Sequence, residues 1–134
     1  MKNKLADAVT LVETDRDPRG WVSNLLDFLP LAAANLKNVH LVEMKPGAIR
    51  GNHKHAVQYE WIVICGGPCR IALADKQETF RRNFDGRKPV MLSIPPGVAH
   101  AVKYLGQATA YLVCLTDNTY NFDKPDLERV NLIS

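Results

Sequence analysis

Between residues 39 and 116 the chain alternates short apolar segments with turn-forming residues. Segments at 39–44, 59–65 and 70–74 stop at Lys45-Pro46-Gly47, Gly66-Gly67-Pro68 and Asp75-Lys76. Those at 90–94, 99–105 and 109–116 stop at Pro95-Pro96-Gly97, Gly106 and Asp117-Asn118. Strand-length runs recurring every ~8–12 residues between such breaks predict an all-β sandwich or barrel. No amphipathic stretch of helical length lies between them, which argues against a parallel α/β sheet. The flanks are less regular. Residues 9–13 read as a short strand, Asp17-Pro18-Arg19-Gly20 as a turn, and 21–35 as a short helix or irregular segment broken by Pro30. Residues 121–132 are polar, contain Pro125, and are expected to wrap the surface.

Composition narrows the class. At 134 residues the chain is one domain's worth, with its barrel core expected at about 39–116 and both flanks packed on it. A net charge of +3 is a mild basic tilt, and the densest basic stretch, 81–88, is diluted by Asp85. Nucleic-acid binding calls for a clustered basic face and is not expected. No apolar run reaches the ~20 residues of a bilayer span, and the first residues lack a signal-peptide core, so a cytoplasmic protein is expected. Cys65, Cys69 and Cys114 lie in apolar runs and read as free thiols, with Gly66-Gly67-Pro68 as a hairpin turn.

The chemistry concentrates in three of four histidines. His53 and His55 are two apart, and on a strand such neighbours point to one face. Glu60 shares a face with Ile62 and Ile64, which marks that face as inward, and a carboxylate entering an apolar barrel needs a partner. His100 follows the Pro95-Pro96-Gly97 turn and is expected from the opposite sheet. Three imidazoles and a carboxylate are a ligand set for one divalent transition metal, with zinc, iron, manganese, nickel and copper undistinguished. His40, in Val39-His40-Leu41, reads as an ordinary strand residue.

Gly47-x5-His53-x-His55-x4-Glu60-x6-Gly67 resembles the first cupin motif in every spacing, and Pro95-x-Gly97-x2-His100 the core of the second. Pro89 and Tyr104 depart from the second motif's terminal Gly and Asn. The resemblance implies a cupin double-stranded β-helix, or jelly-roll barrel, over about 39–116. Arg50-Gly51-Asn52-His53-x-His55 is similar to a stretch of cupin domains in nucleotide-sugar metabolism. These are dTDP-4-dehydrorhamnose 3,5-epimerase-like proteins and the cupin domains of capsular polysaccharide nucleotide-sugar enzymes. Asp17-x-Arg19-Gly20-Trp21 resembles that group's opening, and Thr116-Asp117-x2-Tyr120-x2-Asp123-x-Pro125-Asp126 its end.

That resemblance implies an epimerase or isomerase of a 4-keto-6-deoxy nucleotide sugar, or a sugar-binding relative. Such a reaction needs a base, an acid and an enolate stabiliser. Arg50 is expected to fork onto the diphosphate, and Tyr104, on the face of His100 and Val102, to reach the pocket together with Tyr120. The base is unassigned, because the histidine that serves the metal-free epimerases corresponds to His53, a metal ligand here. Where those enzymes carry a lysine on the following strand, this chain has Trp61. Two other classes fit the same ligands: an iron- or manganese-dependent oxygenase, and a non-enzymatic module holding a metal or small molecule. A homodimer is expected, with residues 9–13 added to a neighbour's sheet and a partner covering the outward Trp61 and Val63.

Overall fold

The computed structural model describes residues 4–27, 35–119 and 121–134. Twelve strands run through them: β1 (Val9–Leu11), β2 (Asp15–Asp17), β3 (Gly20–Val22), β4 (Asn38–Met44), β5 (Ile49–Lys54), β6 (Glu60–Cys65), β7 (Cys69–Ala74), β8 (Thr79–Phe84), β9 (Val90–Ile94), β10 (Ala99–Tyr104), β11 (Ala110–Thr116) and β12 (Glu128–Arg129). Short 3₁₀ turns occupy Leu5–Ala8 and Leu25–Asp27. Residues 28–34 of the apolar stretch after Trp21 lie outside the described residues, as does Tyr120.

Two five-stranded antiparallel sheets face each other, ordered β1-β9-β6-β11-β4 and β12-β5-β10-β7-β8, with β2-β3 as a separate hairpin. From β4 to β11 the chain switches sheet at every connection except β7–β8, which makes the jelly roll expected from the motifs. The turn after Cys65 therefore is not a hairpin. Gly66-Gly67-Pro68 carries the chain from one sheet to the other, and β6 and β7 never pair. Residues of alternating inward strands fill the space between the sheets, among them Met44, Ile62, Ile71, Leu92, Val102 and Leu112.

Strand β6 is buried on both faces, which is why it reads as a continuous apolar run. Its outer face does not wait for a partner subunit. Trp61 and Val63, 4% and 2% exposed, pack with Val12, Met91 and Leu115, and Leu25 and Leu36 close over them. Tyr59 stacks on Trp61 with ring centroids 4.5 Å apart. The chain's own N-terminal segment supplies this cover. Likewise β1, expected on a neighbour's sheet, pairs with β9 of its own chain, Val9 opposite Leu92.

Strand β8 was hidden in the basic stretch. It is the free edge of its sheet, and its Arg81 and Arg82 fit the use of charge to keep an edge from pairing further. Arg82 lies over the Phe84 ring at 5.1 Å.

Candidate metal centre and its cavity

The local geometry of β5 decides what faces the barrel interior. Arg50 opposes Val102 and His53 opposes His100 across β10, with an irregularity between, so Asn52 is an extra, unpaired residue. Regular alternation would put positions 50 and 53 on opposite faces; the bulge brings both inside. It also explains the residues. Gly51 has φ +90, and a Cβ there would lie 2.5 Å from the His100 carbonyl oxygen. Asn52 adopts φ 56, a left-handed conformation that asparagine tolerates. Its side chain turns outward and holds the C-terminal segment, accepting from the Leu132 and Ile133 amides at 2.9 and 3.0 Å and donating to the Ile133 carbonyl at 2.8 Å.

Three imidazoles then cluster at one end of the barrel, His53 to His100 at 4.7 Å between centroids and His53 to His55 at 4.8 Å. His53 and His100 are opposite one another on paired strands, so His100 comes from the same sheet as His53. Only Glu60, at the start of β6, comes from the opposite sheet. One ligand atom from each of His53, His55, Glu60 and His100 lies within 4.8 Å of the others.

Each buried ring is oriented by a backbone carbonyl. His55 Nδ1 donates to Asp126 O at 2.6 Å and His100 Nδ1 to Val98 O at 3.2 Å. A carbonyl only accepts, so each Nδ1 carries a proton and each Nε2 is directed elsewhere. Both Nε2 atoms approach Glu60 Oε1, at 3.7 and 3.2 Å, yet neither completes a hydrogen bond there. Two nitrogen lone pairs and a carboxylate meeting in a buried place repel unless a proton or a metal cation lies among them. Ligands about 2.1 Å from an ion stand roughly 3–3.4 Å apart, the range of the shorter separation. Rings fixed by outer carbonyl acceptors are the usual setting of metal-bound histidine. The residues fit a divalent ion.

The electrostatics show the same competition. Burial resists ionisation of Glu60, but His100 and His55 together outweigh it and hold its carboxyl at about 2. Burial, then the neighbouring His100 and His55 charges, push His53 down to about 4. For His55 burial is overcome by Glu60 and the Asp126 carbonyl, which raise it. The free thiols are inert by comparison. Burial pushes Cys69 up to about 11 and, helped by Glu60, Cys114 up to about 12.

The loop joining His55 to Glu60 is held from outside. The Asp126 carboxylate accepts from the amides of Ala56, Val57 and Gln58 at 2.7, 2.9 and 3.0 Å, and Asp117 accepts from Tyr59 N at 2.8 Å. Gly97 N donates to His55 O at 2.7 Å, tying the Pro95-Pro96-Gly97 turn to the same place. The tail therefore does more than wrap the surface.

A cavity of about 430 Å³ opens beside the cluster, with His53, Glu60 and His100 in its wall. Arg50 lines it and donates to Glu43 O at 2.8 Å. Tyr104 does not. It faces inward but at the far end of the barrel, fully buried, its ring against Gly67 and Gly106 and its hydroxyl 3.5 Å from Gly66 O. Face was predictable from alternation; position along the axis placed Tyr104 in the core. The sequence reading also missed two lining residues. Arg129 pairs opposite His53 on β12, and His40, opposite Cys114 on β4, faces inward beside Glu60. Even spacing of His40 from Val42 and Met44 was the available signal.

Residues 15–127 match the polysaccharide biosynthesis C-terminal domain family. The chain belongs to this family. The spore coat polysaccharide biosynthesis protein SpsL of Bacillus subtilis (strain 168) is 32% identical over 92 residues, 63% of this chain and 61% of that protein. The fold is that of the cupins. RmlC from Streptococcus suis, solved with dTDP-D-xylose, aligns with a TM-score of 0.71 at 20% identity over 92% of this chain and 70% of its own. A 3,4-ketoisomerase from Helicobacter canadensis gives 0.66 at 19% identity, covering 90% and 88%. The capsular polysaccharide assembling protein CapF of Staphylococcus aureus gives 0.66 at 20% identity, covering 90% of this chain but 34% of CapF. The family member described here thus spans about three-fifths of SpsL and one-third of CapF.

Proposed function

We propose that this protein is a metal-binding cupin isomerase that epimerises or isomerises a nucleotide-linked 4-keto-6-deoxyhexose. The observation that carries the reading is the convergence of His55 Nε2, His100 Nε2 and the Glu60 carboxylate beside a cavity lined by Arg50 and Arg129. Its family match, and the sugar-nucleotide ligands and 3,4-ketoisomerase activity stated for similar folds, support the substrate class.

His53, His55, Glu60 and His100 would hold the ion, which when bound supplies a Lewis acid for the keto oxygen. The residues around it do the rest. The Asp126 and Val98 carbonyls fix the imidazole tautomers, and the Asp126 carboxylate fixes the loop between ligands. The guanidinium groups of Arg50 and Arg129 supply donors for the diphosphate. Apolar Ile62, Val102 and Leu112 narrow the cavity around the sugar and limit water. Tyr120 is proposed as a further substrate contact.

Among the described residues no helix is long and apolar enough to cross a membrane, and Cys65, Cys69 and Cys114 are free, which supports a cytoplasmic setting. A homodimer belongs to the same proposal. It is supported by Leu41 and Tyr111, diagonal neighbours exposed on the outer face of β4 and β11. Light scattering of the purified chain tests it, and a monomer removes it.

The deciding experiment is elemental analysis of the purified protein followed by incubation with a dTDP-linked 4-keto-6-deoxyhexose, with NMR of the sugar. One ion per chain and a changed configuration or carbonyl position are expected. A metal-loaded protein that binds the nucleotide sugar and leaves it unaltered would reduce the reading to a binding module. Oxygen uptake with an iron-loaded sample would move it to the oxygenases.

A further inference from the structure

The proposed reaction needs a group that takes a proton from the carbon beside the carbonyl. Among the described residues of the cavity wall the choice is narrow. His53, His55, His100 and Glu60 are committed to the ion, and an imidazole whose lone pair is coordinated accepts no proton. Arg50 and Arg129 do not deprotonate. Cys114 is buried, and its thiol stays protonated near neutral pH. Tyr104 is at the closed end of the barrel.

His40 remains. It stands on the inner face of β4, opposite Cys114, whose other neighbour across β11 is Ile62. One of its ring nitrogens lies within 4.8 Å of both a Glu60 carboxylate oxygen and Cys114 Sγ. It is solvent-accessible, so it can exchange protons with water, and it lines both the main cavity and a smaller one that continues toward Asn118 and Lys124. Asn38, two residues earlier on the same face, donates from Nδ2 to His40 Nδ1 at 3.3 Å. With Nδ1 accepting, the neutral ring's proton sits on Nε2; rotation of the amide presents Oδ1 to an Nδ1–H instead, and it is this tautomer that leaves Nε2 free to accept a proton.

From this placement we infer that His40 is the catalytic acid–base residue, resting on the isomerase reading above. Nε2 takes the proton from the carbon next to the sugar carbonyl, and the C–H electron pair moves to the carbonyl oxygen as an enolate. The imidazolium then returns a proton to carbon as the carbonyl re-forms. Because His40 stands in the sheet of Glu60 and faces the wall that carries Arg50, the sugar lies between acid–base group and diphosphate contacts.

The test is deuterium incorporation from D2O into a dTDP-linked 4-keto-6-deoxyhexose, followed by NMR for wild type, His40→Gln and His40→Gly. Metal content and dTDP affinity are measured on the same preparations. Wild type exchanges; His40→Gln should exchange roughly 10²- to 10⁴-fold more slowly, with metal content and dTDP affinity unchanged. Added imidazole should restore part of the His40→Gly rate, which a packing role would not allow. Exchange by His40→Gln within a few-fold of wild type overturns the assignment while leaving the isomerase reading standing. Slow exchange accompanied by lost metal overturns it too, assigning His40 to holding the site. Absence of exchange in wild type overturns both readings.

Discussion

His100 and Tyr104 lie on one strand and one face, four residues apart, at opposite ends of the barrel. Around Tyr104 the fold is filled. A Cβ on Gly67 or Gly106 would come within 2.7 or 2.2 Å of its hydroxyl, so both positions are glycine because the ring occupies their space. Around His100 the fold leaves nitrogens without hydrogen-bond partners beside a carboxylate. One end is closed by packing, and the other leaves buried nitrogens that no protein atom satisfies. The same β10 alternation produces both, so the difference comes from what the corners bring in: glycines at the closed end, Glu60 and the 95–97 turn at the open one.

The largest effect should come from removing a ligand at the open end. His100→Ala is expected to abolish metal retention, measured by elemental analysis, and to lower the melting temperature, because an ion bound to the native state stabilises it. Chelation should destabilise wild type and leave the His100→Ala melt almost unmoved. At the closed end, Tyr104→Ala should cost about 3–5 kcal/mol in denaturant unfolding through the cavity it leaves, while metal content per folded chain stays at the wild-type level. Metal loss in that variant would mean that the two ends are coupled.

Between these lies Asp126→Ala, which frees the amides of residues 56–58. Metal affinity should fall about 10-fold by competition titration, as for other outer supports of ligands. A pH titration of the metal-free protein should show a modest loss of stability on acidification. His53 titrates at about 4 in the fold against an ordinary 6.5, so the folded state resists its protonation. Its contribution is full above about 6.5 and is lost as pH falls toward 4. Smallest of all, His40→Ala should leave metal content unchanged and stability within ~0.5 kcal/mol, since the ring is exposed.

Local spacing made the clustering of these four side chains legible. His53, His55, Glu60 and His100 are fixed by strand alternation and by turns a few residues long, and the structure brings all four together. What failed was non-local. Alternation gives Tyr104 its face but not which end of the axis it reaches, and only strand pairing does that. Trp61 reads as needing a partner because Val12, Leu25 and Leu36, its actual cover, are distant in sequence. His40 reads as ordinary because its value depends on β11 placing it beside Glu60. Strand β8 goes unread within the basic stretch 81–88 because sheet edges favour charge over apolar alternation.

The bulge at Asn52 acts as a phase shifter within β5. Arg50 and the first histidine of the cluster are an odd number of residues apart, so in a regular strand one of them would face outward. Deleting that single residue would leave Arg50 and His53 two apart, on one face of a regular strand, so both would still point inward, while the C-terminal segment that Asn52 holds would be released. The extra residue is therefore a clamp for the chain's end: the strand could face both side chains inward without it, and what it adds is a carboxamide turned out to the Leu132 and Ile133 backbone.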